Sequence, residues 1–476
     1  MGGEVTTPCT NCRRLQARVD ALTATVAELQ AALAQVQAQL AAARKDSSTS
    51  SKPPSSDIVK PPKPPLPPGQ DKRRRGGQPG HPKHERPLAP PELLTAPPPD
   101  YLLEICPDCG LGLRPAGGDT RVVQQIEVAE VPILIEEHRS HPGWCSRCCK
   151  VHYAALPAVV ERGGLAGPRL TTLIAYLKGF CHASYSTTRK FLRDVLGLTI
   201  SRGQVKKIIT KVSTALETPY QELLRTLPGE PVLNVDETGH KDNGQRMWTW
   251  CFRASLYTLF KIDPPRSADV LIEVLGREFE GVLGCDCFSA YRRYMRAFDV
   301  TLQFCLAHLI RDVKFLMTLP SKKDQAYGTR LRDALRTLFG VIHPREQLAA
   351  VDFQDRLGAA RAEVLRVAQQ DVPSGRHAQA MAKRFQKHGA SYFTFVTTPG
   401  VQPTNNLAEQ AIRFVVIDRH ITQGTRSEGG QRWCERIWTV IATCAQQGRS
   451  VFGYLYAAVK AHFYREEPPS LLPQPC

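Results

Sequence analysis

A proline-rich segment between residues 46 and 100 sets the strongest limit on how this 476-residue chain can fold. It holds 16 of the 37 prolines, together with serines, lysines and the basic run KRRR at 72–75. Such a composition cannot bury enough apolar surface to form a packed core, so residues 46–100 are predicted to be a disordered, extended basic linker. The run RRRGGQPGHP within it fits either a contact with phosphates or a minor groove, or a solvated tether. The chain is therefore predicted to form several domains.

The formal net charge of +17 favours a polyanionic partner, either nucleic acid or an anionic membrane. No apolar run approaches the ~18 residues that a membrane-spanning helix needs, and the N-terminus lacks the apolar core of a signal peptide. We therefore expect no membrane partner and a cytoplasmic, nucleoid-associated protein. The 15 cysteines would stay reduced there, so closely spaced cysteine pairs indicate metal binding rather than disulfides.

An unbroken heptad pattern runs through residues 15–40. Its apolar positions alternate steps of four and three: Leu15, Val19, Leu22, Val26, Leu29, Leu33, Val36 and Leu40. Branched residues at a and leucine at d favour a parallel dimer. We predict that residues 1–45 are a coiled coil and that the chain forms a homodimer through residues 15–40. The alternative is an amphipathic helix lying on the chain's own core.

Two cysteine pairs follow the linker. Cys106 and Cys109 lie in CPDCG, and Cys145 and Cys148 lie in CSRCC. Two such CxxC pairs are typical of a tetrahedral four-thiolate zinc site, which is structural because it leaves no open coordination position. We predict a zinc-binding domain over residues 101–158. Cys149 is an alternative to Cys148, and His141 or His152 could enter the coordination shell.

Residues 159–228 are predicted to be helical and to contain a helix-turn-helix. The pattern shows one helix, a tight turn at Gly197 and a second helix from about Ser201, with Ser186 and Ser201 as candidate caps. From Lys178 to Lys211 there are eight Lys or Arg residues against Asp194 alone. The residues predicted to face DNA are Arg202, Gln204, Lys206 and Lys207. The alternative is a basic surface on an ordinary helical pair.

Segment 232–309 alternates strand and helix patterns in an informative order. VLNVDETGH predicts a buried strand that stops at Asp236 and Glu237, and the Asn-Gly of KDNGQ predicts a hairpin to the next strand. A third strand, a helix, a strand that ends on Asp286, a second helix and a fifth strand follow. This is the order of a ribonuclease H-like α/β core, in which the first and fourth strands lie side by side. Asp236 and Asp286 would then meet at one end of the sheet.

Two buried carboxylates this close repel each other unless one is protonated or a cation lies between them. Magnesium suits such a pair because it prefers hard oxygen ligands. A third carboxylate is needed to hold two ions ~4 Å apart, and Glu409 in PTNNLAEQAIRFVV is the candidate. Alternatively, Glu409 is an ordinary acidic residue near a helix N-terminus or the partner of Arg413.

The helix that carries Glu409 has its own predicted details. Thr404 or Asn405 would cap it, because short polar side chains can accept the first backbone N–H groups of a helix. The side chains predicted to face the core are Leu407, Ala411 and Phe414.

The sequence resembles the bacterial transposases of the insertion-sequence 66 family, which belong to the DDE (Asp-Asp-Glu) class. The motifs that carry the resemblance are the heptad coil, SSKPPSSD, GGQPGHP, CPDCG, VDETG, CLAH and TNNLAEQAIR, so it covers nearly the whole chain. Two features depart from the family's pattern: Leu306 in CLAH, where the family often has Trp, and the segment DRHITQGTRSEGGQRW.

The resemblance implies that Asp236, Asp286 and Glu409 form a catalytic triad that binds two Mg²⁺ ions, with Mn²⁺ as an alternative. It also implies a ribonuclease H-like catalytic core over residues 229–309 and 401–465, with an all-helical insertion over residues 310–400.

The implied function is that of an insertion-sequence transposase, which binds the element ends, cuts DNA and joins the freed 3′ ends to target DNA by two-metal phosphoryl transfer. Arg413, Arg419 and Arg426 form a basic run after Glu409 and are predicted to contact phosphates. Accessory proteins are further candidate partners. The alternatives are a non-catalytic DNA-binding regulator and another ribonuclease H-like nuclease such as a junction resolvase.

Overall fold

The computed structural model describes residues 10–45, 49, 88–94, 97, 107–111, 122, 124, 132–147, 149–344 and 349–473. Contacts divide the chain into two units, Met1–Pro61 with His138–Cys476, and Pro62–Glu137. In the second unit, Pro91–Leu93 form a 3₁₀ turn, and the side-chain amide of Gln124 bonds to both backbone groups of Ala89 at 2.6 Å and 2.9 Å. Most of the predicted linker lies outside the described residues.

The first helix, α1, spans Thr10–Ala43 and contains all eight residues of the predicted heptad seam. Each of them is between 48% and 64% exposed in the single chain. An amphipathic helix lying on the chain's own core would bury this stripe, so the exposure favours a seam that meets another helix. The homodimer itself stays a prediction.

A short antiparallel hairpin and five helices follow in the larger unit. The hairpin pairs β1 (Pro142–Cys145) with β2 (Lys150–Tyr153). The helices are α2 (Ala158–Gly163), α3 (Pro168–Gly179), α4 (Tyr185–Leu196), α5 (Arg202–Ala215) and α6 (Glu217–Thr226). A 3₁₀ turn, Leu227–Gly229, then leads to the sheet.

The turn between α4 and α5 confirms the predicted pair of helices. Gly197 ends α4 in the left-handed region at φ +64°, which glycine adopts without a steric penalty. The Ser201 hydroxyl accepts the backbone N–H of Gln204 at 3.1 Å and begins α5. The predicted cap of the first helix was wrong by two residues, because the hydroxyl of Ser184, rather than Ser186, accepts the N–H of Thr187 at 3.0 Å.

A mixed five-stranded sheet forms the centre of the larger unit. Its strands are β3 (Val232–Asp242), β4 (Gln245–Arg253), β5 (Thr258–Asp263), β6 (Val282–Cys285) and β7 (Thr301–Phe304). They lie in the order β5-β4-β3-β6-β7, antiparallel from β3 to β5 and parallel from β3 to β7. Helix α7 (Ala268–Leu275) leads from β5 to β6, and α8 (Ser289–Phe298) leads from β6 to β7. The predicted element order, with the first and fourth strands adjacent, is confirmed.

The prediction that β3 stops at its two carboxylates was wrong. The parallel pairing with β6 ends at Asn234, but the antiparallel pairing with β4 continues to Asp242. The cause is the predicted hairpin turn at Asn243–Gly244, where both residues have positive φ, because it keeps β3 and β4 paired up to the turn itself. Asp236 therefore lies where one neighbouring strand ends, not where its own strand ends.

Eight helices complete the described chain. They are α9 (Leu306–Leu316), α10 (Lys322–Ile342), α11 (Ala350–Gln369), α12 (Arg376–His388), α13 (Thr394–Thr397), α14 (Asn406–Thr422), α15 (Glu428–Gln446) and α16 (Val451–Tyr464). Apart from one 3₁₀ turn, Ala390–Tyr392, the elements described between β7 and α14 are α-helices, which fits the predicted insertion. Within the described segments, no helix is both long and apolar enough to cross a bilayer.

The outer edge of the sheet is covered by side chains of α15. Alternate backbone N–H groups of β5 are not paired with β4. Their acceptors are the side chains of Glu435, Thr439 and Thr443, which lie four residues apart on one face of α15. The carboxylate of Glu435 accepts the N–H of Ile262 at 2.7 Å, and the Thr439 hydroxyl accepts that of Phe260 at 3.0 Å. Buried N–H groups that would otherwise lack partners are thus satisfied.

Replacing Thr439 with Val should lower the free energy of unfolding by about 1–3 kcal/mol, because the shape is kept while the buried N–H of Phe260 loses its acceptor. Urea denaturation measures the change. Thr439→Ser keeps the hydroxyl and is the matched control. Equal losses in the two variants would show that packing, not this hydrogen bond, determines the effect.

The far end of β3 contains a buried histidine. His240 is 3% exposed, and its Nε2 lies 3.1 Å from the hydroxyl of Thr425. The Thr425 hydroxyl in turn donates to Asp242 at 2.6 Å, and its backbone bonds to Lys241 and Asn243. Burial lowers the pKa of His240 from 6.5 to about 4. The neutral ring therefore stabilises the fold above about pH 6.5, and this contribution is lost as the pH falls through about 4.

Between pH 7 and pH 4 the wild-type chain should lose about 3 kcal/mol of unfolding free energy that a His240→Gln variant does not lose. Urea denaturation at several pH values measures the difference. The exposed His420, replaced in the same way, is the control. If both variants follow the wild-type pH profile, His240 does not cause the acid sensitivity.

Candidate metal centre

The sheet register brings Asp236 and Asp286 to the same level of two adjacent strands. In the parallel pair, Asn234 lies opposite Gly284, and each aspartate follows two residues later. The main chain holds both carboxylates locally. The backbone N–H of Phe288 donates to Asp286 Oδ1 at 2.8 Å, and that of Glu237 donates to Asp236 Oδ1 at 2.9 Å.

The two carboxylates are costly to ionise where they lie. Burial raises the pKa of Asp236 well above its usual value, and the charges of Glu237, Asp286 and Glu409 raise it further. Burial and the charge of Glu237 raise the pKa of Asp286 to about 6. A cation bound between them would remove this penalty, because it would offset the mutual repulsion of the anions.

Asn405 positions the third acid. Its side-chain amide donates to the carbonyl of Val235 at 2.8 Å and accepts from the side chain of Asn234 at 3.0 Å, while its backbone N–H donates to the sulfur of Cys305 at 3.1 Å. These bonds tie the start of α14 to β3, next to Asp236, and to the end of β7. Glu409 lies in the first turn of α14, close enough for its charge to raise the pKa of Asp236.

Two predictions about α14 were wrong: that the Asn405 side chain caps the helix, and which side of the helix is buried. The Asn405 side chain does not cap the helix, because both of its polar atoms are bonded to β3. The buried residues of the helix are Ala408, Ile412, Val415 and Asp418. Leu407 is 38% exposed, whereas Ala411 and Phe414 are partly buried, so the predicted face is rotated by about one residue.

Glu409 has further neighbours. Its Oε1 lies 3.5 Å from Nδ1 of His308, and its Oε2 lies 3.5 Å from Arg311. Oε1 and Nδ1 are both buried and have no hydrogen-bond partner in the described part of the chain. Cys305, His308 and Glu409 each offer a ligand atom, and these atoms lie within 4.8 Å of one another.

Cys305 is a poor ligand in this group. Burial raises the pKa of its thiol, and its sulfur already accepts the N–H of Asn405, whereas metals bind the thiolate. Burial lowers the pKa of His308, which favours the neutral imidazole that can coordinate a metal. Without Cys305, this group offers a carboxylate oxygen of Glu409 and an imidazole nitrogen of His308, donors that suit divalent cations.

A second acidic residue in the motif is neutralised by a buried cluster. The side chain of Glu237 is 1% exposed. It accepts Nε of Arg266 at 2.8 Å and the hydroxyl of Tyr291. Arg266 also packs over the rings of Trp248 and Phe288, at 4.6 Å and 3.9 Å from their centroids. Glu237 could be noticed in the VDETG motif, but the sequence could not predict its pairing with Arg266, which lies 29 residues away.

Asp312 is a further acidic residue that the sequence did not single out. It forms an ion pair with Arg384 at 2.8 Å, and its charge contributes to the raised pKa of Asp286. It follows His308 by four residues on α9, so helical spacing alone could have placed it beside CLAH.

The predicted DNA-contacting residues have mixed environments. Arg202, Lys206 and Lys207 are exposed on α5, and Gln204 is partly buried. Arg413 and Arg426 are also exposed.

Arg419 does not fit the predicted phosphate contact. Its guanidinium donates to the hydroxyl of Thr238 at 3.0 Å and to the carbonyl of Gly239, so it serves to hold α14 against β3.

The predicted zinc site stays a prediction. Cys106 and Cys148 lie outside the described residues. Cys109 is exposed in a turn, and Cys145 ends β1.

Together the fold and the site define a multidomain α/β protein with acidic residues on the central strand of a mixed sheet and on the elements next to it. The family model described as "Transposase IS66 family" matches residues 163–432, more than half of the chain. The chain belongs to this family, and as a transposase it acts on DNA. A second model, a family of unknown function (DUF6444), matches residues 7–87. No curated protein matches the chain significantly.

Arg266→Met should lower the free energy of unfolding by about 2–4 kcal/mol, because it leaves the buried Glu237 carboxylate without its cation. Adding Glu237→Gln should recover part of the loss, so the double variant loses less than the sum of the single variants. Chemical denaturation measures the cycle. Arg293→Met, which breaks the exposed pair with Asp269, is the control and should cost at most about 1 kcal/mol. Additive losses would contradict the coupling.

Proposed function

We propose that the chain is a DDE transposase, in which Asp236, Asp286 and Glu409 bind divalent cations and the bound DNA is cut and joined. The observation that carries the proposal is that the β3–β6 register sets Asp236 and Asp286 at the same level of adjacent strands, while Asn405 ties the start of the helix that carries Glu409 to β3. The charges of Asp286 and Glu409 also raise the pKa of Asp236. The strand order is that of a ribonuclease H-like core, which supports the same assignment.

The donors present fit Mg²⁺, or Mn²⁺ in its place. They are hard oxygen atoms. Two of them belong to aspartates whose pKa is raised by burial and, to a smaller extent, by neighbouring negative charge, and Oε1 of Glu409 is buried without a hydrogen-bond partner among the described residues. Such a buried, unpartnered atom is costly unless something binds it. When bound, a pair of divalent ions activates the attacking oxygen and stabilises the leaving oxygen of an in-line displacement.

The chain's own residues perform the remaining tasks. Asp236, Asp286 and Glu409 act as ionised ligands, so they do not transfer protons. The backbone N–H of Phe288 and the side chain of Asn405 keep two of these ligands in place. The pairing of Arg266 with Glu237 offsets part of a fourth negative charge, which still raises the pKa of Asp236 and Asp286. Arg311, beside Glu409, supplies a cation close to where the phosphate would lie.

DNA binding and the pairing of ends involve other parts of the chain. Arg202, Lys206 and Lys207 are exposed on α5, the second helix of the α4–α5 pair. This position supports a role for them in contacting the element ends. Arg413 and Arg426 lie on the surface after Glu409 and would contact phosphates nearer to the site. The exposed α1 seam supports a homodimer that brings two ends together. The four-cysteine module would stabilise the segment between them.

Asp236→Asn should reduce Mg²⁺-dependent cleavage of a duplex that carries the element ends by at least about 1,000-fold. It removes a ligand worth several kcal/mol in the transition state, and each 1.36 kcal/mol is tenfold in rate. Asp299→Asn, an exposed aspartate at the end of α8, is the matched control. Wild-type cleavage by Asp236→Asn would refute the assignment, and tight binding by the wild-type chain without any cleavage would favour a regulator.

The same variant has a readout that does not depend on activity. Mg²⁺ or Mn²⁺ should raise the thermal unfolding midpoint of the wild-type chain at pH 8, since a ligand that binds only the folded state stabilises it. It should have a much smaller effect on Asp236→Asn. Equal stabilisation of both proteins would place the cation elsewhere.

A further inference from the structure

A basic cavity lies next to the acidic centre. It has a volume of about 510 Å³ and opens between α8, α9 and α12, within the ~300–1,000 Å³ range of ligand pockets. Among the described lining residues, Asp312 is the one carboxylate, and the positive charge comes from Lys45, Arg292, Lys383, Arg384 and Lys387. The lining also includes Cys287, the residue directly after Asp286.

Only part of this positive charge is compensated. Arg384 forms the 2.8 Å ion pair with Asp312 described above, so the charges of Arg292, Lys383 and Lys387 remain. Nε of Arg292 and Nε of Arg384 are buried and have no hydrogen-bond partner within the described segments. Buried donors of this kind need an acceptor, and the positive surroundings favour an anionic one.

The positive charge around the cavity also affects His388, which lines the cavity. Burial lowers the pKa of His388, and the charges of Arg292, Lys387, Arg296 and Arg384 lower it further. Cations that depress the pKa of a neighbouring base in this way also attract a bound anion. Lys383 and Lys387 lie one turn apart on α12 and are exposed, so they can approach successive groups of an extended polyanion.

We propose that this basic cavity binds the phosphodiester backbone of DNA beside the cleavage position. Arg292 and Arg384 would bind a phosphate in the cavity, and Lys383 and Lys387 would bind the backbone at its rim. The inference rests on the proposed function in one respect, that the cut strand lies across the acidic centre. It assigns to the helical insertion a direct part in holding the substrate, which neither the family match nor the acidic site requires.

Lys383→Gln with Lys387→Gln should reduce the salt dependence of DNA binding. Each neutralised phosphate contributes about 0.9 to the slope of log K against log salt concentration, so the slope should fall by about 1–2. Fluorescence anisotropy of the full chain with a labelled duplex of arbitrary sequence measures it. EDTA is included, so that the result does not depend on the metal centre.

Two matched variants control for charge and for folding. Lys383→Arg with Lys387→Arg keeps the charge and should keep the slope. Arg336→Gln with Arg356→Gln removes two exposed cations from α10 and α11 that do not line the cavity, and it should also leave the slope unchanged. An unchanged slope in the Lys-to-Gln pair, or the same fall in the control pair, would overturn the proposal.

The failure of this proposal can be told apart from failure of the proposed function. Asp236→Asn tests the acidic centre through cleavage and should keep the wild-type slope. A free phosphate site is a separate outcome. If inorganic phosphate raises the thermal unfolding midpoint of the wild-type chain but not of the Lys-to-Gln pair, and the DNA slope is the same for both, the cavity binds a small anion and the DNA assignment is wrong.

Discussion

The hydrogen bonds of Asn405 are the interaction on which the rest of the site depends. Asp236 and Asp286 are brought together by strand pairing alone, but Glu409 lies 123 residues beyond Asp286 in the sequence, on a helix. Asn405 is 1% exposed and ties the start of that helix to the carbonyl of Val235, directly before Asp236. A buried amide has strict partner requirements, so this contact positions the helix more narrowly than apolar packing would.

The site concentrates negative charge, which is energetically unfavourable, and the surrounding structure compensates some of the acidic residues more fully than others. Glu237 is paired with Arg266 and Tyr291, and Asp312 with Arg384, so these acids are compensated by the chain itself. Within the described part of the chain, the hydrogen bonds to Asp236 and Asp286 come from backbone N–H groups, and both carboxyls keep a raised pKa, although the charge of Arg266 lowers that of Asp286. These two carboxyls are therefore less fully compensated than Glu237 and Asp312, which is the arrangement expected where an external cation completes the structure.

Much of the fold could be predicted because its signals are local. The Asn-Gly turn after β3, the left-handed Gly197 and the Ser201 cap each act through neighbouring residues, and alternating apolar patterns indicated the strand order. What could not be predicted depends on contacts distant in sequence. Arg266 with Glu237, Asn405 with Val235, and the α15 side chains on the edge of β5 join segments 29 to 185 residues apart. Asp236 and Asp286 could be predicted as a pair because strand adjacency follows from element order, whereas Glu409 was predicted from the need for a third carboxylate and from the resemblance.

The long helical insertion leaves this geometry undisturbed because its start and end are bonded to each other. The backbone N–H of Leu306, at the start of α9, donates to the carbonyl of Pro403 at 3.0 Å, and Cys305 lies between Cys285 and Asn405, bonded to both. The helices between these two points form an insertion whose start and end are held together. The length of the insertion has little effect on the positions of its start and end, because the entropy of loop closure grows only slowly with length. The basic face of α12 lies within this insertion, away from the bonded start and end. Substrate contacts and cation ligands can therefore change independently within one chain.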